Sequence, residues 1–320
     1  CVHAYVKIPS PKFFPNQYVD ELKEIHKRYG LDFCLPTCEE VFYISKFSPQ
    51  LPFPVWVDQI ELMDRLHNKW SFSQWKESPF SFPATQLMSD FKDRENCEEY
   101  VFKPIYSRFG EQTLIGLSER MILKKVNQEE DWIVQEKVEG EEFCVYSLWK
   151  KGKLLAFSIY KLAYRHKGGA ALLFDPVWKD ELYASVKEFG ESLGFTGQLS
   201  FDIIQANEKS YVIECNPRST SGLHLLAEGM ASALVEEQPI ILGKQVQARS
   251  LKTAMLFSNP SYLFKKEVGK SKDVVFSIID LKPFFFQILG LLEFLTRSLK
   301  YRISFTSSMT HDISYDGCEE

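Results

Sequence analysis

Hydrophobic positions along the chain alternate between a helical and a strand period, and this alternation predicts most of its elements. Tyr18, Leu22, Ile25 and Tyr29 follow one another at helical spacing, so residues 18–29 form an amphipathic helix that Gly30 ends. Before it, residues 2–6 read as a strand and Pro9, Pro11 and Pro15 interrupt regular structure. Residues 31–36 read as a buried strand, and Thr37 with Glu40 three residues on is a capping box opening a helix. Ile60, Met63 and Leu66 mark another helix over residues 58–69. Three apolar runs, residues 132–138, 143–149 and 154–162, are joined by the short turns at Gly140 and Gly152 and predict an antiparallel meander. Leu182, Val186, Phe189 and Leu193 make a helix over residues 181–193 that Gly194 stops, and residues 219–235 predict one more, packing Leu225, Leu226, Met230 and Leu234. Helices interleaved with strands in this way define an α/β (α+β) chain.

Between the last two helices lie two short apolar, β-branched and aromatic runs, residues 201–204 and 211–213, with a polar tract between them. This is a hairpin. Strand alternation puts Glu214 and Asn216 on one face. A three-residue loop Asn207–Glu208–Lys209, pairing Ala206 with Ser210, would set Asp202 opposite Glu214 on that same face, whereas a two-residue loop would set it opposite Ile213. The odd loop is the expectation. Asp202, Glu214 and Asn216 then present three hard oxygen donors, a set that suits Mg²⁺ completed by water and substrate phosphates, with Arg218 as a cation beside those phosphates. The plain alternative is a solvated hairpin with surface acids.

Composition narrows the classes. The 320 residues are 45% hydrophobic and 25% charged, as in an ordinary globular protein long enough for two or three compact units. A net charge of −5 gives no basic footprint for nucleic acid. The seven cysteines are scattered and odd in number, which fits free thiols in a reducing cytoplasm better than a disulfide framework. Cys34 and Cys38 are a close pair without a histidine partner and read as structural. The sequence starts at Cys1 with no charged leader, which reads as a start inside a longer chain.

Further candidates for chemistry lie upstream of the hairpin. Lys103 ends an apolar strand, and a polar loop with Ser107, Arg108 and Gly110 follows, offering charge and amide donors to a phosphate. A β-turn with a surface arginine is the alternative. No P-loop or Rossmann glycine motif occurs. Arg165, His166 and Lys167 lie in a basic segment before two glycines that can face an anion or stay a flexible loop.

The segment 214–222, Glu-Cys-Asn-Pro-Arg-Ser-Thr-Ser-Gly, preceded by Thr-Gly-Gln-Leu-Ser-Phe-Asp at 196–202, resembles the closing signature of the ATP-grasp superfamily. The resemblance covers roughly residues 60 to 245 and implies an ATP-grasp fold, with a carbamoyl-phosphate-synthetase-like order of domains. It implies a partial Rossmann-like pre-ATP-grasp domain at 1–60, a nucleotide-binding and catalytic domain at 61–245 with a lid at about 71–131, and a C-terminal extension at 246–320. It also implies that Asp202, Glu214 and Asn216 hold one or two Mg²⁺, with Mn²⁺ as an alternative, against the phosphates of ATP. Lys69 and Lys103 would hold nucleotide, with Ser107, Arg108 and Gly110 in a phosphate loop poorer in glycine than usual. Gln135, Glu136, Lys137 and Val138 would follow the adenine edge, Glu142 would meet the nucleotide, and Arg218 with Arg165 would stabilise an acyl phosphate. Asn68 stands where the family usually has aspartate.

The implied activity is a ligase that activates a small carboxylate for attack by an amine or thiol, and the alternative is an ATP-binding scaffold without catalysis. The apolar run 283–295, with Arg297, Lys300 and Arg302 after it, is too short and too interrupted to span a bilayer. It reads as a helix buried on the domain or in a homodimer, with membrane-surface attachment through residues 283–302 as the alternative.

Overall fold

The computed structural model describes residues 3–108, 110, 112–127, 129–165, 171–207, 209–242 and 246–317. The chain divides into two compact units, Cys1–Asp64 with Phe276–Glu320, and Arg65–Val275. In chain order the first helices are α1 (Pro15–Tyr29), α2 (Glu40–Phe47), α3 (Ile60–His67) and α4 (Lys69–Ser73). Gly30 caps α1 in the left-handed conformation at φ 64°, as its position predicted. Glu40 accepts the Thr37 and Cys38 amides at 2.7 and 3.0 Å, which is the acidic half of the expected capping box. The strand expected at residues 2–6 does not form among the described residues 3–6, and the one expected at residues 31–36 is reduced to a single bridge between Cys34 and Val55.

Strands β1 (Thr85–Leu87), β2 (Tyr100–Pro104) and β3 (Leu114–Ile115) precede α5 (Glu119–Lys125) and β4 (Trp132–Glu136). They form a four-stranded sheet in the order β1-β4-β2-β3. It has its own core of Phe91, Phe102, Leu114, Ile122, Trp132 and Val134. The expected three-strand meander is corrected here, because both edges of β4 are taken, Val101 pairing with Gln135 on one side and Thr85 on the other.

The second sheet starts with β5 (Glu141–Lys150), β6 (Lys153–Arg165) and β7 (Ala171–Val177) and continues, after α6 (Asp180–Leu193), with β8 (Gly197–Ala206) and β9 (Lys209–Asn216). The helix expected over residues 219–235 is instead two short ones, α7 (Leu223–Leu226) and α8 (Met230–Val235), with Gly229 as the N-cap of the second. Then follow β10 (Ile240–Ile241), β11 (Arg249–Ser250), α9 (Lys252–Ser258), α10 (Lys266–Lys270) and β12 (Lys272–Asp273). The strand order is β12-β11-β7-β6-β5-β8-β9, with β10 alongside β6. Helix α6 seats Phe189 against Phe72, Trp75, Phe80 and Phe201, an aromatic core that fixes α4 beneath the β8–β9 hairpin.

The C-terminal segment carries α11 (Lys282–Tyr301) and α12 (Phe305–Ser308) and belongs to the first unit. Tyr315 stacks on Phe42 with ring centroids 4.4 Å apart, its amide donates to Glu39 at 3.1 Å, and Lys12 pairs with Asp316 at 3.0 Å. Residues 276–320 thus share a core with the N-terminal segment, which revises the expected separate extension. Helix α11 forms where the apolar run predicted, and it packs on its unit by one half-buried side only, with no residue fully buried.

Candidate active site

The β8–β9 hairpin brings Asp202 opposite Glu214, as expected, by a different route. The ladder closes with Ala206 opposite Lys209, one residue tighter than the predicted loop, and runs through Ile203 opposite Val212. A register shift then leaves Ile213 as an extra residue on β9 and restores Asp202 to Glu214, Phe201 to Cys215 and Ser200 to Asn216. A bulge of this kind re-aims side chains, and here it turns Glu214 back to the face of Asp202.

The two carboxyls share a hydrogen bond. Asp202 is pushed up to about 7, first by burial and then by the charge and hydrogen bond of Glu214. Burial works to raise Glu214 too, but Lys69, the hydrogen bond with Asp202, Lys103 and Asn216 outweigh it and hold Glu214 well below the usual carboxylate range. Lys69 lies 3.6 Å from Glu214 and donates to the Ser107 carbonyl at 3.3 Å. It is placed there by a helix break, since Asn68 caps α4 through the Ser71 amide at 2.9 Å and Lys69 becomes the first residue of the new helix. Lys103 donates to the Ile213 carbonyl at 3.2 Å, and burial above all lowers it to about 8.

Asn216 donates to Glu214 at 3.1 Å and accepts from Arg218 at 3.2 Å. The Arg218 carbonyl is braced by Ser200 at 3.1 Å, and Thr220 reaches Ser200 at 3.0 Å. Arg165 forms an ion pair with Glu142 and feels the Asp202 charge, while burial lowers its pKa. Asp202, Glu214, Asn216, Arg218, Lys69, Lys103, Ser107, Arg165 and Glu142 therefore form one connected group. Arg108 lies within electrostatic reach of buried His67, which also feels Lys69 and Arg218.

Other expected residues lie elsewhere in the unit or stay outside this group. Gln135 is buried in β4 and donates to Thr85 at 3.0 Å, Glu136 is exposed, Lys137 pairs with Glu139 at 2.5 Å, and Val138 is half-buried past the end of β4. No hydrogen bond or ion pair among the described residues joins these four to the carboxylate group. Gly110 takes a left-handed φ of 67° and its carbonyl accepts the Thr113 amide at 3.2 Å. The expected basic residues His166 and Lys167 lie outside the described residues.

Sequence reasoning missed Cys144 and His67. The Cys144 thiol donates to Asp202 Oδ1 at 2.6 Å, and the Tyr160 hydroxyl bridges Cys144 and Thr220. Burial and the Asp202 charge push the Cys144 thiol up, so it stays protonated and donates. The signal was the pairing of β5 with β8, which sets Cys144 directly opposite Asp202. His67 is the last residue of α3, four residues beyond buried Met63 on the same helix face. Burial first, then Lys69 and Arg218, keep it neutral.

The donor set fits a divalent cation. Two carboxyls close enough to share a proton, with an amide oxygen alongside, are hard oxygen ligands whose mutual repulsion a bound cation would relieve in place of that proton.

Residues 66–222 match the model of the ATP-grasp domain. The chain resembles the L-amino acid ligase of Bacillus licheniformis with a TM-score of 0.53 and 14% identity, over 72% of this chain and 58% of that one. N5-carboxyaminoimidazole synthetase of Staphylococcus aureus, solved with ADP, is similar at a TM-score of 0.57 and 12% identity, over 77% of this chain and 69% of that one. The biotin carboxylase domain of Hydrogenobacter thermophilus 2-oxoglutarate carboxylase, solved with MgADP and bicarbonate, is similar at 0.50 and 12% identity, over 64% and 52%. These likenesses show the fold. No curated protein sequence matches the chain. Residues 66–222 are thus an ATP-grasp domain, and the fold around them is that of the ATP-grasp enzymes. The chain spans little more than half the length of the L-amino acid ligase it resembles.

Proposed function

We propose that this protein is an ATP-dependent ligase that converts a small carboxylate into an acyl phosphate and passes the acyl group to an amine or thiol, releasing ADP and phosphate. The observation that carries this reading is the convergence of Lys69, Lys103 and Arg218 on the Asp202–Glu214–Asn216 face. A phosphoryl transfer needs positive charge aimed at the γ-phosphoryl oxygens and little covalent help from the protein.

In this reading the carboxylate oxygen attacks the γ-phosphorus, the bond to the β–γ bridging oxygen breaks, and ADP leaves. Asp202, Glu214 and Asn216 would hold one or two Mg²⁺, with Mn²⁺ able to replace it. A cation held there screens the phosphate charges and polarises the transferred group. Lys69 and Lys103 neutralise the nucleotide phosphates, with Ser107, Arg108 and Gly110 alongside. Arg218, held by Asn216, the Ser219 carbonyl and Ser200, steadies the acyl phosphate until the amine or thiol displaces phosphate. Arg165 can turn from Glu142 toward the same anion. Gln135, Glu136, Lys137 and Val138 are assigned to the adenine edge. Free thiols at Cys34, Cys38, Cys97, Cys144 and Cys215 suit a cytoplasmic setting.

The test is ADP release from MgATP over pooled amino acids, small carboxylates and amines, with Glu214→Gln as the control. Pool-dependent release that the variant loses supports a ligase. Nucleotide binding with no release in any pool would favour a non-catalytic scaffold.

A further inference from the structure

Helix α11 presents an apolar face that the ligase reading leaves unused. Phe285, Ile288, Leu289, Leu292, Leu295 and Leu299 are between 47% and 71% exposed. At helical spacing they fall within one arc of about 120° along a helix roughly 30 Å long. The opposite side anchors the helix to its own unit. Phe294 meets the ring of Phe305 at 6.3 Å, its carbonyl accepts Ser308 at 2.9 Å, and Arg297 holds both Glu293 and Asp312. The exposed arc therefore belongs to a docked helix, and such a continuous apolar face marks a surface that something covers.

Charge selects what covers it. In residues 282–302, Lys282, Arg297, Lys300 and Arg302 stand against one acid, Glu293, which Arg297 binds, although the whole chain carries −5. By helical position Lys282 and Lys300 border one edge of the apolar arc, and Arg302 follows as the left-handed residue that ends the helix. Two copies packed face to face would bring basic edges together, and the one acid near them, Glu293, is already held by Arg297. An anionic bilayer answers both features, taking the apolar arc among its acyl chains and the lysine and arginine ends at its headgroups. Among the described residues no helix is long and apolar enough to cross a membrane, so the contact is with the surface.

We propose that α11 docks this protein onto anionic lipid surfaces. The test is sedimentation of the full chain with phosphatidylcholine vesicles, with and without phosphatidylserine. The protein should pellet with the anionic vesicles only, and added salt should release it. Leu292→Glu should lower the partition at least about tenfold, with circular dichroism and nucleotide affinity unchanged, since Leu292 is 54% exposed. Should that variant unfold, Lys300→Glu with Arg302→Glu carries the test, with a loss of roughly fivefold for each charge removed. No pelleting with either vesicle, or equal pelleting of wild type and the variants, overturns the proposal. A dimer in solution that Leu292→Glu dissociates, without vesicle binding, also overturns it and assigns the face to a second copy.

Discussion

Lys69 and Glu214 lie 3.6 Å apart, with the lysine side chain only 4% exposed and the carboxylate 25%. The lysine offsets the charge of the acid to which the proposed reading gives the metal, so a phosphate entering the site would compete for a cation that is already in place. A charge-assisted hydrogen bond of this kind contributes about 1.5–3 kcal/mol. Lys69→Met should therefore weaken MgATP binding roughly tenfold to a hundredfold. Isothermal titration would measure it, and unchanged affinity would remove Lys69 from the nucleotide site.

Glu214→Gln keeps the shape of the side chain and the hydrogen bond from Asn216 while removing the charge that a cation needs. ADP release should fall about a thousandfold or more, as expected when charge stabilisation of the transferred group is lost. The fold should persist, because the change creates no cavity. A variant with near-normal turnover would sink the assignment of the metal ligands, whereas one without native circular dichroism would show Glu214 to be structural.

Cys144 orients Asp202 by donating its thiol hydrogen, an arrangement comparable to the outer partners that aim metal ligands. Serine keeps a donor at that position and valine does not. Cys144→Val should weaken Mn²⁺ binding about tenfold and Cys144→Ser much less, read by electron paramagnetic resonance of the free ion. Equal losses in both variants would mean that packing, not the hydrogen bond, is what Cys144 contributes.

The residues that were legible in the sequence were those whose roles depend on local spacing. Glu214 and Asn216 share a face because strands alternate, and α1 and α6 carry apolar stripes that end at Gly30 and Gly194, both left-handed in the structure. What was hidden depends on pairing between distant segments. The bulge at Ile213 shows only when β8 and β9 are aligned, Cys144 reaches Asp202 only across the β5–β8 ladder, and β4 leaves the meander because β1 and β2 claim its edges. The return of Tyr315 onto Phe42 is likewise a contact between chain ends that no window of sequence contains. Exposure of α11 was hidden for another reason, since an apolar stripe looks the same whether protein or lipid covers it.

Gly190 on α6 lets Trp149 approach the helix, and a Cβ built on it would stand 2.4 Å from the indole ring. Trp149 has little room to retreat, being fully buried with its ring nitrogen on Ser147 at 2.8 Å. Alanine in place of glycine gains up to about 1 kcal/mol in helix propensity. Overpacking costs about 1–3 kcal/mol. The clash should win, so Gly190→Ala is expected to lower the urea midpoint without changing the slope of the transition. A stabilised variant would mean that α6 moves away from β5 more easily than this packing implies.

Lys103 gives the site a pH dependence whose sign follows from burial. Its ammonium is lowered to about 8 in the folded protein, chiefly by desolvation, with Lys69 adding to the effect and Glu214 and Asp202 opposing it. In the unfolded chain a lysine titrates near 10.4. Between these values the unfolded state binds more protons than the native state, so the contribution of Lys103 to stability rises as pH increases from about 8 to about 10.4. Nucleotide binding should run the other way. A phosphate is held by the charged lysine, so affinity for ATP should fall as pH rises past about 8, where the metal-free site loses that charge. Lys103→Met should bind ATP weakly at every pH and flatten the profile above neutrality. Titrations from pH 7 to 9.5 would decide it, and a wild-type affinity constant across that range would show that Lys103 does not carry the phosphate.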